Sequence, residues 1–264
     1  MRFLFSILLF AMSVLAQTTP ATSSPSHSVP GDQDNARKAK AIVDQMIQAL
    51  GGQAYLNIQD IAQEGRSYSL YHGQPRGGGV IFWHYYKYPD KDRTEFTKKR
   101  DVIYINNGDK GYEITFRGTH AQDPKELADF LRRRHYALDV VLRKWLVEPG
   151  VALFYEGQSV AEAKSVDQIT VMNSRNEAVT LFINADTHLP VKKTFTWRDP
   201  TDKQRNTEDE IYDNYREAQG ITTPFTITRF FNGEMTSQRF LTSVTHNQGL
   251  SDSKFEAQPG SPSK

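Results

Sequence analysis

The side chains that could do chemistry are scattered along this sequence. The histidines are His27, His72, His84, His120, His135, His188 and His246. No two have the helical spacing of a zinc-protease pair, and no carboxylate stands at a metal-ligand offset from any of them. They read as surface or structural residues. No serine sits in a Gly-x-Ser-x-Gly elbow, so nucleophilic hydrolysis has no local support. Arg76-Gly77-Gly78-Gly79 could be taken for a phosphate cradle, but no lysine and hydroxyl residue follow it and it leads into a strand, so it reads as a hairpin loop. Glu208-Asp209-Glu210 lacks the spacing of a calcium loop and reads as a solvated turn. Arg132-Arg133-Arg134 could meet anionic lipid or the acidic patch of a partner. Lys125, Glu126 and Asp129 dilute that charge, so a solvated helix face is the simpler reading. No catalytic residue, metal site or cofactor is expected, and the chain is read as a protein other than an enzyme.

The absence of cysteine narrows the field further. It excludes disulfides, thiolate zinc sites, a cysteine nucleophile and the lipidated cysteine of a bacterial lipoprotein. The N-terminus nevertheless looks exported. Arg2 precedes an apolar run from Phe3 to Leu15, and Val14 and Ala16 occupy the small-residue positions before Gln17. Cleavage is expected after Ala16, giving a soluble periplasmic protein. The run is shorter than the roughly 18–20 apolar residues that span a bilayer. Removing it takes away Arg2, and the formal charge of +1 falls to about zero, which offers nothing to nucleic acid.

Residues 17–35 are rich in Ser, Thr, Pro and Asp and are expected to be a disordered linker, as is the tail 258–264. Between them, 36–257 is read as a single domain. Its first element is a helix from Ala36 to Leu50, with Ala39, Ile42, Val43, Met46 and Leu50 on one stripe and Gly51-Gly52 as its stop. The period then changes to two. Strands are expected near 64–72, 79–88, 102–106 and 111–117, the last two joined by a hairpin at Asn107-Gly108-Asp109-Lys110. Residues 79–88 are apolar on both faces, as in a strand covered on both sides. A second helix is capped by Asp123, with Pro124 in its first turn and Glu126 completing the box, and it is expected to run unbroken to Val147. Further strands follow near 151–156, 166–173, 178–184, 190–198, 208–217, 221–232 and 236–246, separated by short polar turns. Fifteen Phe and twelve Tyr suit such a chain.

Alternation along these strands defines a candidate apolar face. Ile114, Phe116, Val191, Phe195 and Trp197 stand opposite charged or hydroxyl neighbours. Leu181, Ile183, Phe225 and Ile227 extend the face, and Trp83 and Tyr85 join it from the doubly apolar strand. The helix stripe Leu127, Phe130, Leu131, Leu138 and Trp145 would meet this surface. The helix either closes a cavity in a curved sheet or completes an ordinary core, and the pattern allows both.

Several short motifs carry a family resemblance. They are Asn184-Ala185-Asp186-Thr187-His188-Leu189-Pro190, then Gly220-Ile221-Thr222-Thr223-Pro224, then the ending Asn247 to Phe255. Tyr86-Lys87-Tyr88-Pro89 and the 102–111 hairpin add to them. The stretch Ala36–Phe255 resembles the LolA/LolB superfamily of periplasmic lipoprotein carriers and their uncharacterised relatives. That resemblance implies a mainly β fold, a strongly curved, unclosed antiparallel half-barrel with helices covering its concave face. It also implies a non-enzymatic carrier or sensor whose ligand is a lipid or lipoprotein acyl chain, with envelope proteins as further partners and peripheral membrane contact open to it. The alternative is an envelope scaffold with the same sheet and a filled interior. One departure concerns the helical lid. Where the lipoprotein chaperone has an arginine latch after the lysine, this chain has Tyr88, and Arg93 is the substitute that the sequence offers.

Overall fold

The computed structural model describes residues 30–257. The expected signal segment, most of the linker and the tail lie outside them. The helix α1 (Pro30–Leu50) begins six residues before the expected start, because Pro30 suits a first turn and Asp32 complements its dipole. Asn35, expected in the linker, instead exchanges two 2.8 Å hydrogen bonds with the backbone of Tyr155. Gly51 and Gly52 stop the helix at positive φ, donating to the carbonyls of Gln48 and Ile47. A β-carbon on Gly51 would lie 2.8 Å from the Gly220 carbonyl oxygen, so the stop also needs a residue without one. One short helix, α2 (Gln53–Leu56), follows.

The first seven strands are β1 (Asp60–Tyr71), β2 (Gln74–Pro75), β3 (Val80–Lys87), β4 (Lys91–Phe96), β5 (Val102–Asn107), β6 (Lys110–Thr115) and β7 (Gly118–Ala121). Two helices interrupt them, α3 (Pro124–His135) and α4 (Leu138–Arg143), with a 3₁₀ turn at Trp145–Val147. The remaining strands are β8 (Ala152–Ala161), β9 (Lys164–Met172), β10 (Ala178–Asn184), β11 (Pro190–Arg198), β12 (Arg205–Ala218), β13 (Ile221–Phe231) and β14 (Glu234–His246). All pairings are antiparallel. The sheet runs β7-β6-β5-β4-β3-β1-β14-β13-β12-β11-β10-β9-β8, with β2 paired to β1 alone. Its two ends, β7 and β8, do not pair, so the half-barrel is open.

Three strands were not legible in the pattern: the two-residue β2, β4 and β7. β4 reads Lys-Asp-Arg-Thr-Glu-Phe and β7 reads Gly-Thr-His-Ala, and neither has apolar alternation. The expected unbroken helix after Asp123 is instead two helices. Asp123 does cap α3, accepting from the backbone N–H of Lys125 and Glu126 at 2.9 and 3.2 Å. The break falls at Tyr136, whose ring stacks on Phe195 at 4.3 Å and whose carbonyl accepts a 2.9 Å bond from buried Lys193. That carbonyl is thereby satisfied off the helix axis, and the chain turns.

The concave side divides into two halves. Beneath α1 and α4, over β9, β10 and β11, a dense core joins Ala39, Val43, Met46, Leu50, Val141 and Leu142 to Ile169, Val171, Val179 and Leu181. Each such side chain contributes about 1.5–3 kcal/mol by leaving water. The other half, over β1, β3–β5 and β12–β14, is not filled. On the outer face of β4 and β5 sits the C-terminal turn Asp252–Phe255, pinned by Lys87 and Lys91 to Asp252 at 2.6 and 2.9 Å. This cover explains why β3 is apolar on both faces.

Candidate ligand cavity

The unfilled half encloses a cavity of about 920 Å³, within the range of small-molecule sites. Alternation places one face of each strand in it: Gln63 and Ser67 of β1, His84 and Tyr86 of β3, Asp92, Thr94 and Phe96 of β4, and Tyr104 and Asn106 of β5. Tyr212, Ile227, Arg229 and Arg239 come from β12–β14, and Phe130, Arg133, Arg134 and Leu138 come from the helices. One end is lined by exposed Ser69, Arg76, Gly78 and Val80 and forms the mouth. The other ends on buried Leu50, Ile58, Ile221 and His246. A bulge at Glu64/Gly65 bends β1 along this wall. Any β-carbon at Gly65 would sit 2.3 Å from the Phe240 carbonyl oxygen, so the bend demands glycine.

The lining is mixed, and most of its charges are answered. His84 Nε2 meets Asp92 at 2.7 Å, and its Nδ1 meets Gln63 at 3.2 Å. Burial pushes the Asp92 carboxyl up, but the His84 charge and hydrogen bond, with Arg239 and Arg134 beyond, bring it below its ordinary value. Glu210 accepts from both Lys193 and Arg229 at 2.7 Å and from the Tyr212 hydroxyl at 2.8 Å. Burial opposes its ionisation, and the two cations overcome that and hold it well below the carboxylate range. Asn106 donates to Gln122 at 3.1 Å.

The lid is tied down by polar clamps. No residue of α3 is buried. Arg132 donates to Asp129 at 2.8 Å, reaches Glu208 at 3.1 Å and lies 3.5 Å over the Trp197 ring. Arg134 holds Asp139 through bonds of 2.8 and 2.6 Å and donates to the Tyr86 hydroxyl. His135 meets Glu177 at 2.9 Å. Burial would raise the Asp139 carboxyl, and Arg134 outweighs it, so the carboxyl ends below its usual value. The arginine run is therefore not a solvated face. Glu208-Asp209-Glu210 is likewise not a turn; it lies inside β12, where Asp209 pairs with Lys192 at 3.2 Å.

Tyr88, at the latch position, lies under the guanidinium of Arg143 at 3.6 Å, and burial, with the Asp139 charge adding to it, pushes its hydroxyl up. β3 and the turn after it supply the phenols, and the helices supply the arginines. Arg93 takes no part. It points to the outer face, bonding Glu95 at 2.6 Å and the Lys254 carbonyl at 3.1 Å.

No protein-family model and no curated protein matches the sequence. Solved structures do match the fold. A DUF1329 family protein from Desulfovibrio piger aligns with a TM-score of 0.58 at 14% identity, over 83% of this chain and 97% of the other. A protein described as a putative outer membrane lipoprotein-sorting protein domain, from Vibrio parahaemolyticus, gives 0.55 at 11% identity, over 84% and 97%. A LolA superfamily protein from Nitrosomonas europaea gives 0.50 at 11% identity, over 83% and 97%. The chain shares its fold with these three proteins, one of them described as of the LolA superfamily. Identities this low carry the architecture alone.

Within this LolA-like fold, the expected site residues go to three places. Phe130, Leu138 and Ile227 line the cavity. Trp145, Leu181, Ile183 and Phe195 are buried in the packed half, with Trp197 against them, because α1 and α4 fill the space over β9–β11. Val191 is buried with Ala161 and Val166, and Phe225 with Phe82, Leu241 and Val244 beside the cavity. Trp83 and Tyr85 face outward, under Arg100 at 4.1 Å and Lys254 at 3.5 Å, since their neighbours His84 and Tyr86 take the cavity side. By the same parity Ile114, opposite Ile103, faces away, and Phe116 is 84% exposed in the turn after β6. Leu127 and Leu131 are half-buried outside the lining, Leu127 beside Gly111. The pattern missed Tyr86, Phe96 and Tyr104 on β3–β5, and Arg229 and Arg239 on β13 and β14. The signal for the first three was the opposite phase of alternation on β3–β5, obscured by polar partners such as Asp92 and Thr94.

Proposed function

We propose that this protein is a non-enzymatic carrier or sensor that holds a lipid or lipoprotein acyl chain in the cavity between the sheet and α3. The observation that carries the reading is a large cavity under a helix with no buried residue. A helix held by ion pairs over an unfilled space can lift without exposing a packed core, whereas α1 cannot. Phe96, Phe130, Leu138 and Ile227 offer apolar contact along the cavity, and burying an acyl chain is worth about 0.8 kcal/mol per CH₂. The fold shared with a LolA superfamily protein, and the lipoprotein sorting named for the Vibrio parahaemolyticus protein, support the same class of ligand. Export to the periplasm belongs to this reading and rests on the Phe3–Leu15 run. The scaffold alternative finds support only in the packed half. Native mass spectrometry of gently purified protein tests the proposal. A co-purified lipid is expected; a bare protein mass that no added lipid changes would speak for the scaffold.

A further inference from the structure

Two arginines facing the cavity have no partner. Among the described residues, Arg133 of α3 and Arg239 of β14 make no hydrogen bond and no ion pair; Arg239 has only the Phe82 ring, 5.1 Å away. The carboxylates whose charges reach these arginines are already engaged. Glu210 is shared by Lys193 and Arg229, Asp92 is held by His84, and Asp129 and Glu208 are held by Arg132. The three arginines Arg133, Arg229 and Arg239 feel one another's charge. Burial, with Arg229 adding to it, lowers the Arg133 guanidinium and brings Arg239 down to about 10. Both stay protonated at neutral pH, so the charge persists without an anion to meet it.

Their height along the strands is informative. Arg239 lies opposite Ile227 and Ser67, and Arg229 lies opposite Ser237, which itself faces Ser69. Ser69 borders the mouth, so the arginines stand at the entrance and the phenyl rings of Phe82 and Phe225 lie further in.

We infer that Arg133, Arg229 and Arg239 seat the phosphate of an anionic amphiphile whose acyl chain occupies the cavity behind them. This rests on the carrier reading and adds the chemistry of the head group. Arginine suits phosphate because its planar fork donates two parallel hydrogen bonds.

Calorimetric titration tests this with two ligands of one chain length, palmitoyl-lysophosphatidylglycerol and its phosphate-free counterpart monopalmitoylglycerol, below their aggregation concentrations. The intact protein should bind the anionic lipid about tenfold more tightly, the scale of one charge-assisted hydrogen bond. The double variant Arg133→Gln/Arg239→Gln should lose that preference and keep its affinity for the neutral lipid. Its thermal midpoint should be unchanged or higher, because uncompensated repulsion has been removed. Equal affinity of the intact protein for the two lipids overturns the inference and leaves the carrier reading standing, as does a preference that survives in the variant. Inorganic phosphate binding as tightly as the lysolipid would make this a free-anion site and overturn it too. Binding of neither lipid removes the carrier reading and the inference together.

Discussion

Arg134 and Asp139 face each other across the break between α3 and α4, joined by two hydrogen bonds of 2.8 and 2.6 Å. The pair also gathers Tyr86 and Tyr88 from β3 and the turn after it, so the lid, its hinge and the cavity wall meet at one ion pair. Replacing Asp139 with Asn leaves Arg134 without its counter-charge. A loss of roughly 2–3 kcal/mol is expected, between the values for exposed and for buried pairs. Urea denaturation of Asp139→Asn, Arg134→Met and the double variant measures it. The double variant should be less destabilised than the sum of the singles, and strict additivity would show that the pair does not couple.

The packed and unfilled halves should respond differently to the same insult. Phe195 is 3% exposed and stacked on Tyr136, so an aspartate there is a buried, unpaired charge costing several kcal/mol. Phe195→Asp should fail to fold. Phe130→Asp, at the cavity wall, should fold with a native circular dichroism spectrum, because the carboxylate can be solvated from the cavity. Equal loss of fold in both would contradict the division.

Acid should loosen the end of the lid through Glu177. Burial would raise this carboxyl, but Asn173, His135 and Arg175 bring it from 4.5 down to about 2. A folded-state value below the unfolded one stabilises the protein above the unfolded pKa and is lost as pH falls through the folded one. Glu177→Gln should therefore be less stable than the parent at pH 7, with the difference shrinking between about pH 4.5 and 2. A difference constant across that window would rule out this role for the carboxylate.

The strands β9, β10 and β11 were legible because the core over them is filled. Val179, Leu181 and Ile183 alternate cleanly, and β10 and β11 lie within the expected bounds. β4 was not legible, because its inward residues Asp92 and Thr94 meet a cavity and polar partners where a packed strand would place Val or Ile. The helix break was hidden for a related reason. Leu138 and Trp145 continue the stripe through Tyr136, and the signal to turn comes from Lys193, a residue 57 positions away. Apolar periodicity therefore located the core, and only Phe130, Leu138 and Ile227 of the residues it singled out line the cavity. The cavity opens where that periodicity fails.

The most direct test of the account is uptake of a fluorescent fatty acid by the intact protein and by Ile227→Trp. Ile227 borders the cavity from β13, and an indole there has unfilled space to enter, so the variant should fold normally. The account predicts saturable uptake by the intact protein and at least a tenfold loss in the variant at unchanged thermal midpoint. Absence of uptake by the intact protein, or full uptake by Ile227→Trp, would contradict a ligand held in this cavity.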